Sequence, residues 1–129
     1  MNTINVASIP ENGVIKVFLG AKYTGYVGLV DIAIPKIDPD KSILYVSCDQ
    51  VDSTCLNRKR LLKVIHVDNG NGYDYRQFQN IMYYKLDSSD YHLTIRLYND
   101  NGPIKLQSSD PVLITLLLQP DTPQRWINM

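Results

Sequence analysis

Residues 43–68, ILYVSCDQVDSTCLNRKRLLKVIHVD, decide the fold class. Two apolar, β-prone runs, ILYVSCDQV and LLKVIHV, flank a polar connection, DSTCLNRKR. That pattern reads as two consecutive strands joined by an exposed loop. In the first run Leu44, Val46 and Cys48 alternate with Ile43, Tyr45, Ser47 and Asp49, which assigns the first set to the core. In the second, Leu62, Val64 and His66 share one face and Leu61, Lys63, Ile65 and Val67 the other. Apolar residues on both faces predict a strand covered twice, by an opposite sheet and by a neighbouring subunit.

The same grammar extends in both directions. Upstream, residues 14–20 (VIKVFLG) form a strand pattern. Gly25 and Gly28 then suggest a turn or bulge before LVDIAIP at 29–35, with Val30, Ile32 and Ile34 on one face and Asp31 on the solvated one. Asp38-Pro39-Asp40 is a turn former. Downstream, the Asn-Gly pairs at 69–72 mark a loop, because Asn and Gly tolerate the positive φ of tight turns. Residues 77–86 read as one strand, or a short turn and then a strand. HLTIRLYND at 92–100 alternates cleanly, with Leu93, Ile95 and Leu97 inward. Asn99 to Pro103 signals a hairpin into a short strand at 104–106, and VLITLLLQ at 112–119 is apolar on both faces, hence central or covered. The ends, 1–7 and 120–129, read as extended arms, the first alternatively as a short edge strand and the second anchored by Trp126.

About eight strands at spacings of roughly 8 to 17 residues, without an amphipathic helix, predict a single all-β domain over residues 1–129: an antiparallel sandwich, jelly roll or barrel. Length fits one domain with its own core. Nine tyrosines and many β-branched residues agree with strands, where such side chains pack well. Thirteen basic residues balance thirteen acidic ones, so no global field draws in nucleic acid or an anionic membrane. The N-terminus has no signal-peptide pattern, which predicts synthesis in the cytoplasm, and no apolar run approaches the roughly 20 residues of a membrane-spanning helix.

Chemical motifs are sparse. His66 and His92 lack ligand-type neighbours at metal spacing, and strand histidines on a polar face are the simpler reading. Asp49 with Asp52, and Asp38 with Asp40, could be catalytic carboxylate pairs, yet Asp is also what turns and strand ends contain. Cys48 and Cys55 could pair, but a cysteine in a strand pattern more often serves as a small buried hydrophobe. Arg58, Lys59 and Arg60 read as a solvated run. No catalytic, cofactor or metal motif emerges, so an enzyme is not expected. The tyrosines are denser: Tyr73, Tyr75, Tyr83, Tyr84 and Tyr91 offer stiff contact area with polar tips, as carbohydrate sites and subunit interfaces both use. Tyr73, Tyr75, Tyr83, Tyr91 and Trp126 are the candidate interface residues.

One ordered set of positions carries a family resemblance: Ile34-Pro35, Leu44-Tyr45-Val46, Cys48-Asp49, Leu61-Leu62, Val64-Ile65, Phe78, Tyr84, Leu86, Ile95-Arg96, Asp100, Gly102 and Ile104. Over residues 29–118 this order resembles the minor capsid, or penton, proteins of polinton-like and adintovirus-type viruses. The end of the last apolar run departs from it, since VLITLLLQP lacks the family's aromatic and basic close. The resemblance implies a single jelly-roll subunit of the virion. Such a subunit closes fivefold vertices as a homopentamer, a trimer being the other ring considered, against a major capsid protein. It carries over no catalytic residue. A receptor-attachment or carbohydrate-binding β-sandwich using the Tyr-rich residues 73–91 is the alternative.

Overall fold

The computed structural model describes residues 2–52, 59–70, 72–86 and 91–120. Among these, all regular structure is β. The strands in chain order are β1 (Asn2–Ser8), β2 (Val14–Phe18), β3 (Gly25–Ile34), β4 (Ile37–Asp38), β5 (Lys41–Cys48), β6 (Leu61–Asp68), β7 (Asp74–Gln77), β8 (Tyr83–Lys85), β9 (His92–Asn99), β10 (Gly102–Pro103), β11 (Lys105–Leu106) and β12 (Val112–Pro120). One sheet runs β1-β12-β3, with β7 and β8 both on the far edge of β3. The other runs β9-β5-β6, with β2 and β10 sharing the free side of β9, and β4 pairs with β11 in a small ribbon. Every pairing is antiparallel; four sets of pairings are nested, and β3·β12 and β5·β9 cross them to complete the two sheets. The pair β5·β6 is innermost, then β3 with β7 and β8, then β2·β9, and β1·β12 joins the two ends.

The two sheets share one apolar interior, the arrangement of a β-sandwich. The first supplies Val27, Leu29, Ile32, Ile34, Val112, Ile114, Leu116 and Leu118; the second supplies Ile15, Val17, Leu44, Val46, Cys48, Ile65, Val67, Leu93, Ile95 and Leu97. The alternation expected of β5 and β9 is therefore observed.

Two strands depart from simple alternation for one reason. In β3 the inward residues are Val27 and Leu29, then Ile32 and Ile34, a change of parity across Val30. Opposite it, Thr115 pairs with Asp31 but Leu116 with Leu29, so Val30 is the extra residue of a β-bulge and not the core residue expected. The same occurs in β6, where Val46 pairs with Lys63 and Ser47 with Leu61. Leu62 is the extra residue, and it points inward together with Ile65 and Val67. The apolar residues on both nominal faces of β6 are thus a parity switch. Cover on both sides is not needed to explain them: β6 is an edge strand whose Val64 is 44% exposed.

Other boundaries also shift. Residues 25–28 belong to β3 and do not form a turn. Gly28 is required there, because a Cβ would lie 2.6 Å from Ile81 Cγ2 and 3.1 Å from Tyr83 Cδ1. Gly13, at φ 76°, lets the chain pass within hydrogen-bond reach of β9, where Leu97 N donates to Gly13 O at 2.8 Å. Residues 77–86 split into the end of β7 and the separate β8, and the strand expected at 104–106 contracts to the two residues of β11. Of the two readings of the N-terminal residues, the edge strand is observed, as the seven-residue β1, and Pro120 closes β12 opposite Gly25. The remainder of the C-terminal segment, 121–129, lies outside the described residues.

Leu116 is fully buried at the centre of the shared core, whereas its neighbour Leu113 faces outward from the same strand. Leu116→Ala should lose about 2–5 kcal/mol of unfolding free energy in urea titrations, and Leu113→Ala about 0.5 kcal/mol or less.

Candidate interface on the outer face of the first sheet

Strand register sets the outer face of the first sheet. One row reads Ala7, Leu113, Ala33, Tyr75, and the next reads Asn5, Thr115, Asp31, Gln77. Just beyond the first row lie Ile9, which follows β1, and Tyr73, whose hydroxyl donates to Pro111 O at 2.7 Å. Ile9 is 56% exposed, Tyr73 46%, Tyr75 56% and Leu113 42%, so half of the eight exposed large hydrophobic residues described gather at this end of one face. Soluble proteins seldom leave such side chains in a continuous patch without using it. A shallow groove of about 340 Å³ crosses the patch, lined by Asn5, Ala7, Asp31, Ala33, Tyr75 and Leu113 among others. The small Ala33 forms its floor between Tyr75 and Leu113.

The charges that bear on these tyrosines are carboxylates. Tyr75 Oη donates to Asp31 Oδ2 at 3.4 Å, and Thr115 Oγ1 donates to Asn5 Oδ1 at 3.1 Å. Partial desolvation, reinforced by Asp31, raises the Tyr75 hydroxyl above its ordinary pKa; partial desolvation and then Asp110 do the same for Tyr73. Each hydroxyl donates its one proton, Tyr73 to Pro111 O and Tyr75 to Asp31, and keeps its oxygen as an acceptor.

The fold thus brings together two of the five residues singled out in the sequence, Tyr73 and Tyr75. Tyr83 lies at the other end of β3, opposite Gly28, and is half-buried. Tyr91 belongs with the second sheet: its carbonyl accepts from Leu19 N at 2.8 Å, and Lys22 Nζ lies 5.7 Å from its ring centroid. Trp126 lies outside the described residues. Ile9, Ala33 and Leu113 complete the patch and were not singled out. The only hint of them was Leu113, in a strand apolar on both faces, since Ile9 and Ala33 join through pairing partners distant in sequence.

Among the described residues, the other chemical candidates singled out in the sequence lie outside the first sheet. Asp49 takes a bidentate ion pair from Arg96, with Nε to Oδ1 at 2.8 Å and Nη2 to Oδ2 at 2.9 Å, and that hydrogen bonding raises the Arg96 pKa. Asp52 N bonds Lys85 O, and Asp38 pairs with Lys105 in the β4·β11 ribbon. Arg60 Nε donates to Val51 O at 3.0 Å and Lys59 Nζ lies 5.8 Å from the Tyr45 ring centroid; Arg58 and Cys55 are outside the described residues. Among the described residues no group of three or more His, Cys, Asp or Glu side chains could hold a metal ion. Asp74 accepts from Arg76 Nε at 2.7 Å and from Asp68 N at 2.8 Å, with the Arg76 hydrogen bond chiefly responsible for its lowered pKa. Cys48 is wholly buried, and its Sγ donates to Gln50 Oε1 at 3.6 Å, which also accepts from Thr94 N at 2.8 Å.

Comparison of the chain with models of known families, with characterised proteins and with solved structures finds no match.

Burial pushes the Cys48 thiol up to about 11 from a usual value of 9.0. A raised folded-state pKa means that its contribution to stability is complete below the unfolded pKa and is lost as pH rises through the folded one. Wild-type unfolding free energy should therefore fall between pH 9 and 11 by more than that of Cys48→Ala, measured in parallel urea titrations. In a Cys55→Ser background, Cys48 should react with a disulfide reagent at pH 8 only after denaturation.

Proposed function

We propose that this chain is a jelly-roll subunit of a virus shell. In this reading it is a minor capsid, penton-type protein that closes the fivefold vertices as a homopentamer seated against a major capsid protein. The observation that carries the reading is the nested strand pairing. Taking β7 and β8 as one interrupted strand and leaving aside the two-residue segments, eight strands pair first with eighth, second with seventh, third with sixth and fourth with fifth. A long hairpin rolled across two sheets has this order, and it is the plan of the jelly roll, a fold used by capsid proteins and lectins. The resemblance over residues 29–118 supports the choice of capsid protein within that class. Synthesis in the host cytoplasm and residence in the virion follow from it.

The exposed patch of Ile9, Tyr73, Tyr75 and Leu113 supports assembly. Aromatic and aliphatic side chains left on a free subunit are buried when copies meet, and Tyr adds hydrogen bonds at little cost in side-chain entropy. A second reading draws on the groove itself: Tyr75 beside Asp31, Asn5 and Thr115 is an aromatic platform edged by hydrogen-bonding groups, which would suit a sugar ring.

Native mass spectrometry of the purified protein should find a closed ring of five, which Tyr75→Asp or Leu113→Asp abolishes. A strictly monomeric mass at high concentration, with no association with particles, would defeat the capsid reading. Binding to a glycan array that Tyr75→Ala abolishes would favour the sugar site instead.

A further inference from the structure

A sheet edge presents unpaired N–H and C=O groups to any extended chain, and natural proteins ordinarily blunt it with charges, proline, bulges or short strands. Three of the four edges of this sandwich carry such devices. The β7/β8 edge is broken into strands of four and three residues that bear Arg76 and Lys85. On β6 the bulge at Leu62 is joined by Lys63 and Asp68. The edge formed by β2 and β10 is interrupted, with Lys16 in one segment and Pro103 in the other.

β1 has none of these. Its sequence, NTINVAS, is seven residues without a charge or a proline, and its register with β12 is unbroken from Asn2·Leu118 to Ser8·Val112. Among the described residues its other edge has no partner strand. Ile4 and Val6 pack against the core yet stay only half-buried, whereas Thr3, Asn5 and Ala7 are exposed on the opposite face.

We propose that the β1 edge is a strand-pairing site for β1 of a second copy of this chain, antiparallel about a twofold axis at Asn5. The strand complements itself in that register. Ile4 falls opposite Val6 of the copy on the core side, Thr3 falls opposite Ala7 on the outer side, and Asn5 meets its own equivalent. No charge is buried and no like charges oppose one another. The Asn5 carboxamide oxygen is already taken by Thr115, which leaves its NH2 group for the copy. The pairing would join the two first sheets into one. It would also bring the grooves of both copies together, since Asn5 and Ala7 line them. The contact goes beyond the ring proposed above and requires only two copies.

Directly opposed residues in an antiparallel pair lie about 4.5–5.5 Å apart at Cα, within disulfide range. The full-length Asn5→Cys protein, in a Cys55→Ser background, should therefore form covalent dimers under mild oxidation. The same protein carrying Val64→Cys in place of Asn5→Cys, on the guarded β6 edge, should cross-link at least tenfold more slowly. Asn5→Lys, with an unchanged circular dichroism spectrum, should weaken association in sedimentation equilibrium at least tenfold. Equal cross-linking at the two sites, or an Asn5→Lys protein that associates like the wild type, would overturn the proposal. Cross-linking by Asn5→Cys without any fivefold species would leave it standing and remove the ring alone.

Discussion

The structure depends on a single apolar interior that two sheets must share. Each strand can turn only one row of side chains into it, and the row must stay continuous even where the sequence does not alternate. At Val30 and Leu62 continuity is kept by inserting an extra residue, which exchanges the faces of everything beyond it. Without those bulges, either Val27 and Leu29 or Ile32 and Ile34 would face water, and β6 would split Leu62 from Ile65 and Val67 in the same way. Burial of each such residue is worth roughly 1.5–3 kcal/mol, well above the local cost of an irregular pairing.

Around that interior, buried polar groups tie the connections to the sheets. Gln50 bridges the end of β5 to Thr94 of β9, accepting from the Thr94 amide and donating to its hydroxyl at 3.5 Å. Asn69, almost wholly buried, donates from Nδ2 to Ile34 O and Pro35 O at 3.2 and 2.6 Å, which pins the loop after β6 to the end of β3. The Asp74 carboxylate joins β6 to β7 through Asp68 N and Arg76, and Arg76 Nη2 reaches His66 O at 2.7 Å. Hydrogen bonds to charged groups are worth more than neutral ones, and leaving a buried donor or acceptor unpaired costs about 1–3 kcal/mol. The Asn69 and Asp74–Arg76 links therefore join β6 of the second sheet to β3 and β7 of the first, while Gln50 ties two strands within the second sheet. The outer face of the first sheet leaves Ile9, Tyr73, Tyr75 and Leu113 exposed.

The contrast between edges follows the same logic. A chain that must remain soluble protects its strand ends and sides, and here the protection is uneven. Charges, proline and breaks fall on β2, β6, β7, β8 and β10, while β1 itself carries only uncharged side chains. Net neutrality of the whole chain therefore conceals a local asymmetry: the β1 edge is the one without charge, proline or break.

By itself the sequence determined that the chain is all-β, where most strands lie, and which residues of β5 and β9 face the core, because period-two alternation is a local property. It also singled out Tyr73 and Tyr75 by residue type as candidates, and the fold exposes both on one face. Only the tertiary structure decided the parity switches at Val30 and Leu62, because a bulge is defined by a partner strand and not by its own neighbours. Pairing likewise made an edge strand of residues 2–8, separated Tyr91 from Tyr75, and set Leu113 and Ala33 beside Tyr75. Side chains more than thirty positions apart meet through hydrogen-bonded register. Register is fixed by the collective burial of the core, which a linear reading of any one segment does not contain.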